Sequence, residues 1–225
     1  MPRFPGEAAA YAEYAAAPSR HLARTPERLT DVEAAALPME ALTAWQALVA
    51  TANVQPRERV LITGAGGGIG HLAVQIAKTL GAYVIGAARA ARHPLLVELG
   101  ADETIDYTKQ ELADVVRDID VVLDLAGGET ATRALPTLRD GGLLIAITSG
   151  GDQASEAAGD RVRVAYMLVE PDRADLEAIA GLVDGGRLHV HVAQTFPLEQ
   201  AARAHQLIES RQVQGKLVLT VDGSS

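Results

Sequence analysis

From Val60 onward the apolar residues fall into two alternating rhythms. Short unbroken runs, Val60-Leu61-Ile62-Thr63, Tyr83-Val84-Ile85, Val121-Val122-Leu123-Asp124-Leu125 and Leu143 to Ile147, read as strands. The first, fourth and fifth strands lack polar alternation, as strands covered on both faces do. Thr104-Ile105-Asp106-Tyr107 and Val162 to Val169 complete a set of six. Between them the spacing turns helical: Leu72, Ala73, Ile76 and Leu80 share a face, and Gly81 stops the helix. Pro94 to Leu99, Glu111 to Arg117, and Thr130 to Leu138 before Gly141-Gly142 read as further helices. A polar loop is expected before the sixth strand, then a helix carrying Leu176, Ile179 and Leu182 with Asp172 as its cap. Strand–helix alternation of this kind predicts an α/β fold, a doubly wound parallel sheet.

The ends read differently. Residues 7–38 carry Tyr11, Tyr14 and the prolines Pro18, Pro26 and Pro38, and predict one or two short strands with turns. Glu40 to Thr51 is helical, with Ala41, Trp45 and Leu48 on one face. Leu198 to Ile208 reads as a helix and Leu217 to Val221 as a last strand. The expected division is 1–38, a Rossmann domain over 39–188, and a strand–helix–strand segment over 189–225.

Between the first strand and its helix lies Gly64-Ala65-Gly66-Gly67-Gly68-Ile69-Gly70. A helix N-terminus presents backbone N–H groups and a partial positive charge, and glycines let an anion approach them. Against G-x-G-x-x-G the matching positions are Ala65, Gly67 and Gly70. Gly67 admits the pyrophosphate, and Gly70 lets the helix pack close. The alternative is a glycine-rich turn with no ligand. An NAD site places an acidic residue about 20 positions further on, at the end of the second strand. This chain has Gly86-Ala87-Ala88-Arg89-Ala90-Ala91-Arg92 there, and its next acid is Glu98. Guanidinium groups pair well with a 2′-phosphate, so Arg89 and Arg92 favour NADP(H); otherwise they are solvated loop charges.

Composition narrows the classes. With 225 residues, 48% hydrophobic and 22% charged, the chain can bury a large core. A net charge of -9 argues against nucleic acid and anionic membranes as partners. The absence of cysteine removes thiolate catalysis and cysteine-held zinc. No run approaches the roughly 20 apolar residues of a membrane span, and Met1 to Gly6 lacks a signal-peptide layout, so a cytoplasmic protein is expected. His189 and His191 form an H-x-H pair on a predicted strand. It reads as a solvated or half-buried pair rather than a metal site, and no metal is expected. Ser149 has no nucleophile-elbow context, and Asp118, Asp120 and Asp124 read as helix-end and strand-edge charges.

Val60 to Gly70, Gly100-Ala101-Asp102, Ile105-Asp106-Tyr107, Val122-Leu123-Asp124 and Gly215 to Leu219 together resemble a known family. So do Ala35 to Pro38 with Leu42 to Trp45. The family is the zinc-independent quinone oxidoreductase branch of the medium-chain dehydrogenase/reductase superfamily. That branch commonly shows A-x-x-G-x-x-G, read here as Gly64, Gly67 and Gly70. The resemblance implies NADP(H), hydride transfer to a quinone or enone as small-molecule substrate, no metal, and a homodimer paired through the sixth strand. It places Gly67, Gly68, Ile69 and Gly70 at the pyrophosphate. Arg92 stands where the family has a lysine at the 2′-phosphate, and Arg89 where it has a serine. Tyr107 lies beside the adenosine phosphate, or is an ordinary strand-end tyrosine. Ala126, Thr148 and Ser149 line the nicotinamide side, with Thr43 nearby; no catalytic acid or base is implied. The family's GroES-like domain is represented only by remnants at the two ends. A second reading therefore stays open: a nucleotide-binding module, or a non-redox biosynthetic enzyme such as a cyclase.

Overall fold

The computed structural model describes residues 10–210, 213 and 215–221. Residues 1–9, which include the Met1 to Gly6 segment and the start of the expected remnant over 1–38, lie outside them. The chain divides into two compact units: Ala44–Leu168, and the residues up to Thr43 together with those from Val169 onward.

The Ala44–Leu168 unit is built on six parallel strands: β1 Arg59–Thr63, β2 Tyr83–Ala88, β3 Glu103–Asp106, β4 Ile119–Asp124, β5 Leu138–Ala146 and β6 Arg163–Tyr166. Their order, β3-β2-β1-β4-β5-β6, is that of a dinucleotide-binding sheet with its switch point between β1 and β4. Helices α3 Gly68–Thr79, α4 His93–Glu98, α5 Leu112–Val115, α6 Glu129–Ala134 and α7 Gly151–Ala158 connect the strands. Side chains alternate across each strand, and both alternating sets are buried. Leu61, Ile85, Val122 and Leu144 join a core with Leu112, Ala131 and Ala154. Val60, Ile62, Val84, Leu123 and Ile145 are equally buried, on the opposite face by alternation. The doubly wound α/β expectation is met.

Three local expectations are corrected. The predicted helix over Thr130 to Leu138 stops at Ala134 and becomes a 3-10 turn over Leu135–Thr137. Pro136 explains it, since a proline removes a helix N–H and clashes one turn back. Strand β5 then begins at Leu138, before Gly141-Gly142 rather than after them, and its pairing with β4 shifts register between Ile119 and Val121. The loop expected before β6 contains α7, whose inner face consists of the small residues Ala154 and Ala158 and so gives a weak periodic signal.

In the other unit the described residues of 10–38 form no strand. Instead Thr30 and Glu33 close a reciprocal capping box on α1 Asp31–Ala36: the Thr30 hydroxyl accepts the Glu33 N–H at 3.3 Å, and Glu33 accepts the Thr30 N–H at 2.9 Å. The Thr30 hydroxyl also donates to the Glu33 carboxylate at 2.8 Å, and the two bonds to that carboxylate, the backbone one foremost, lower its pKa. Helix α2 Pro38–Trp45 begins here, and its last residues and the π-helical turn that follows, Gln46–Thr51, belong to the Ala44–Leu168 unit. Helix α8 Arg173–Asp184 is capped by Asp172 as expected, with the Asp175 N–H at 2.9 Å. Strands β7 Val192–Pro197 and β8 Lys216–Thr220 pair in parallel, and α1 and α9 Ala201–Glu209 pack on them. His189 and His191 precede β7 instead of lying within a strand. Among the described residues no helix is long and apolar enough to cross a membrane.

Candidate cofactor site

The carboxyl ends of the parallel strands carry the predicted site residues of the Ala44–Leu168 unit. After β1 the chain turns at Gly64, whose φ of +64° is the left-handed region that glycine enters without cost. Ala65 takes no positive φ, so alanine is tolerated there. Gly67 caps α3 in extended conformation, and its N–H bonds the Gly64 carbonyl at 3.0 Å. Helix geometry leaves the N–H groups of Gly68, Ile69 and Gly70 without an acceptor inside α3. At Gly70 a Cβ would sit 2.4 Å from the Gly64 carbonyl oxygen and 2.5 Å from that of Ala65. The glycine therefore permits the close approach of helix and turn.

The loop after β2 closes on this turn. A Cβ at Gly66 would meet Arg92 Cγ at 2.9 Å, so the arginine's aliphatic stem lies against the glycines. Arg89 is exposed and Arg92 half-buried. Burial first, then the Arg89 charge, lowers the Arg92 pKa from the usual arginine range, and Tyr107 acts in the opposite sense. Arg89, Arg92 and Tyr107 are thus electrostatic neighbours beside the turn. His93 supports this loop: its Nε2–H donates to the Ala88 carbonyl at 3.1 Å, and the Thr104 hydroxyl donates to Nδ1 at 3.1 Å. At the end of β3, Asp106 accepts the Thr108 hydroxyl at 2.6 Å and its N–H at 3.1 Å. The hydroxyl bond is the main cause of its lowered pKa.

Beyond the switch point, Ala126, Thr148 and Ser149 are exposed on the turns after β4 and β5. The two turns are joined, because the Gly128 N–H donates to the Ser149 carbonyl at 2.9 Å. Thr43 belongs to the other unit, where it is buried on α2 and donates its hydroxyl to the Met39 carbonyl at 2.7 Å.

Two residues were not legible as parts of this region. His71 is fully buried one turn into α3, and its Nδ1–H donates to the Gly67 carbonyl at 3.1 Å, bracing the glycine turn from behind. Asp124, expected as a strand-edge charge, has 0% exposure. Its position as the only acid in a run of apolar strand residues was the available signal. Among the described residues no three His, Cys, Asp or Glu side chains gather as a metal site.

The glycine cradle and the paired arginines fit a phosphorylated dinucleotide. A family model described as zinc-binding dehydrogenase matches residues 99–219. The 2-haloacrylate reductase of a Burkholderia species is 35% identical over 93% of this chain and 70% of its own length. Quinone oxidoreductase from Coxiella burnetii superposes with a TM-score of 0.83 at 33% identity, over 87% of this chain and 62% of that one. Escherichia coli quinone oxidoreductase, solved in complex with NADPH, gives 0.77 at 29% identity, over 86% and 66%. The chain spans 60–70% of the length of the oxidoreductases it matches, and 4% of that of a polyketide synthase of Streptomyces halstedii. With the order β3-β2-β1-β4-β5-β6 and a glycine turn after β1, these similarities establish that the chain belongs to the zinc-binding dehydrogenase family, in the quinone oxidoreductase branch of the medium-chain dehydrogenase/reductase superfamily.

Proposed function

We propose that this protein is an NADPH-dependent, zinc-free reductase acting on an electron-poor C=C bond or a quinone. The carrying observation is Arg92 laid against the glycine turn with Arg89 and Tyr107 as its electrostatic neighbours, two cations where an NAD site keeps a carboxylate. The relatives named quinone oxidoreductase and 2-haloacrylate reductase support the acceptor class. The lack of cysteine supports chemistry without zinc.

NADPH, once bound, supplies a hydride from its nicotinamide. The chain's own contribution is binding and orientation. Gly68, Ile69 and Gly70 offer backbone N–H groups to the pyrophosphate, Gly67 admits it by having no side chain, and Arg89 and Arg92 neutralise the 2′-phosphate beside Tyr107. Ala126, Thr148 and Ser149 bound the nicotinamide side with small surfaces. No side chain is assigned as general acid. The edge strand β6 leaves pairing groups open on one side, which suits a homodimer.

Calorimetric titration with NADPH and NADH, followed by NADPH absorbance with a panel of quinones and enones, tests the reading. NADPH is expected to bind tighter than NADH and to be consumed. Arg92→Ala should weaken NADPH about tenfold or more and leave NADH unchanged. Equal loss for both cofactors would refute the arginine assignment. Tight NADPH binding with no turnover across the panel would favour a nucleotide-binding module or a non-redox biosynthetic enzyme.

A further inference from the structure

One buried acid near the switch point has no part in the function proposed above. Asp124 ends β4, and its Oδ1 accepts the Thr63 hydroxyl at 2.5 Å. Thr63 ends β1, is itself buried, and accepts the Leu125 N–H at 3.2 Å. The other carboxylate oxygen accepts the Gly127 N–H at 3.2 Å. One carboxylate therefore ties together the two strands flanking the central crevice and the turn that leaves β4. Burial raises its pKa, while bonds from Thr63, Gly127 and Ala126 oppose that rise. An aliphatic side chain would fill such a position without the desolvation penalty. What the acid adds is a fixed turn.

That turn is tightly interlocked. Gly127 has φ +75°, and a Cβ there would lie 2.3 Å from Thr148 Oγ1. A Cβ at Gly150 would lie 2.2 Å from the Gly128 carbonyl oxygen. Together with the bond from the Gly128 N–H to the Ser149 carbonyl, these approaches leave the β4 and β5 turns little freedom to move separately.

We propose that Asp124, acting with Thr63, is a positioning residue for the nicotinamide half of the cofactor. It anchors the Ala126–Gly128 turn, and through it the Thr148–Ser149 turn, so that this wall is formed before the ligand arrives. The assignment rests on the NADP(H) reading. An asparagine at 124 cannot accept from both the Thr63 O–H and the Gly127 N–H, because one of its terminal atoms is a donor.

The test compares two ligands by calorimetric titration. NADPH carries the nicotinamide; 2′,5′-ADP carries the adenosine and 2′-phosphate alone. Asp124→Asn and Thr63→Val should each weaken NADPH about tenfold or more and leave 2′,5′-ADP unchanged. Thr63→Ser, which keeps the hydroxyl, should bind NADPH like the parent protein. Should Asp124→Asn fail to fold, the near-isosteric Thr63→Val carries the test. Equal weakening of both ligands, or no effect on either, overturns the assignment alone. A parent protein that binds neither ligand overturns the NADP(H) reading and this assignment with it.

Discussion

On the β1–β3 side of the crevice, the residues that would read the ligand are an exposed arginine, Arg89, and a half-buried one, Arg92, whose stem lies against Gly66. On the β4–β5 side, small residues sit on turns locked to each other and to a fully buried carboxylate. The difference follows from what each side has to recognise. A phosphate is met by charge, and Coulomb attraction tolerates displacements of an ångström or so in a solvated side chain. A flat, weakly polar ring is met by shape, so the wall must hold its position. Rigidity on that side comes from close approaches that leave no room for a Cβ, and from an acid whose desolvation cost is partly offset by its donors.

Substitutions that add one methyl group separate the two sides. Gly150→Ala should be the most damaging: its φ of +107° disfavours alanine, and the new Cβ meets the Gly128 carbonyl oxygen at 2.2 Å. A loss of about 3 kcal/mol in urea unfolding is expected from conformational strain and overpacking together. Gly70→Ala follows, at about 2 kcal/mol, because its collisions are also with backbone carbonyls but its helical position suits alanine. It should weaken NADPH and NADH alike, since both carry the pyrophosphate. Gly66→Ala sharpens the contrast. The atoms it meets are Arg92 Cγ at 2.9 Å and Cβ at 3.0 Å, so the root of that side chain must yield and a smaller loss of about 1 kcal/mol is expected. Displacing that side chain should nevertheless weaken NADPH several-fold and spare NADH.

The smallest expected effect is in the pH dependence of stability, where the two sides carry opposite signs. Asp106, held low chiefly by the Thr108 hydroxyl, contributes stability above its unfolded pKa of about 3.8; that contribution is lost as pH falls through the folded value. Asp124, raised by burial, binds its proton more tightly when folded. It therefore costs stability as pH rises from about 3.8 through its raised folded value. The stability difference between the parent protein and Asp124→Asn should shrink over that interval and level off above it. Urea titrations across acid pH measure this directly. A difference that grows with pH would mean that the hydrogen bonds outweigh desolvation.

The legible parts of the site were those carried by neighbours in the chain. The glycine run, the helix after it and the arginines at the end of the next strand sit within one β–α–β unit, and each points to its proposed role through residue type and spacing. Thr30-x-x-Glu33 was equally local, and it explains the helix found where strands were expected. Pro136 likewise marks the early end of α6. Asp124 was read as an edge charge because nothing in its surrounding run reveals a hydroxyl 61 positions earlier. The interlock of Gly127 with Thr148 and of Gly128 with Gly150 is non-local in the same way.

By itself the sequence determined the class of fold, the glycine turn after β1 and the cationic character of the loop beside it. Each depends on periodicity and backbone permissiveness within one or two elements. The tertiary structure alone decided that β1 and β4 stand side by side, that their last residues share one buried hydrogen bond, and that two distant turns lock together. Those facts depend on which strands pair and on how closely their loops then approach. Sheet order brings such residues together only after the chain has crossed over, so no local pattern records it.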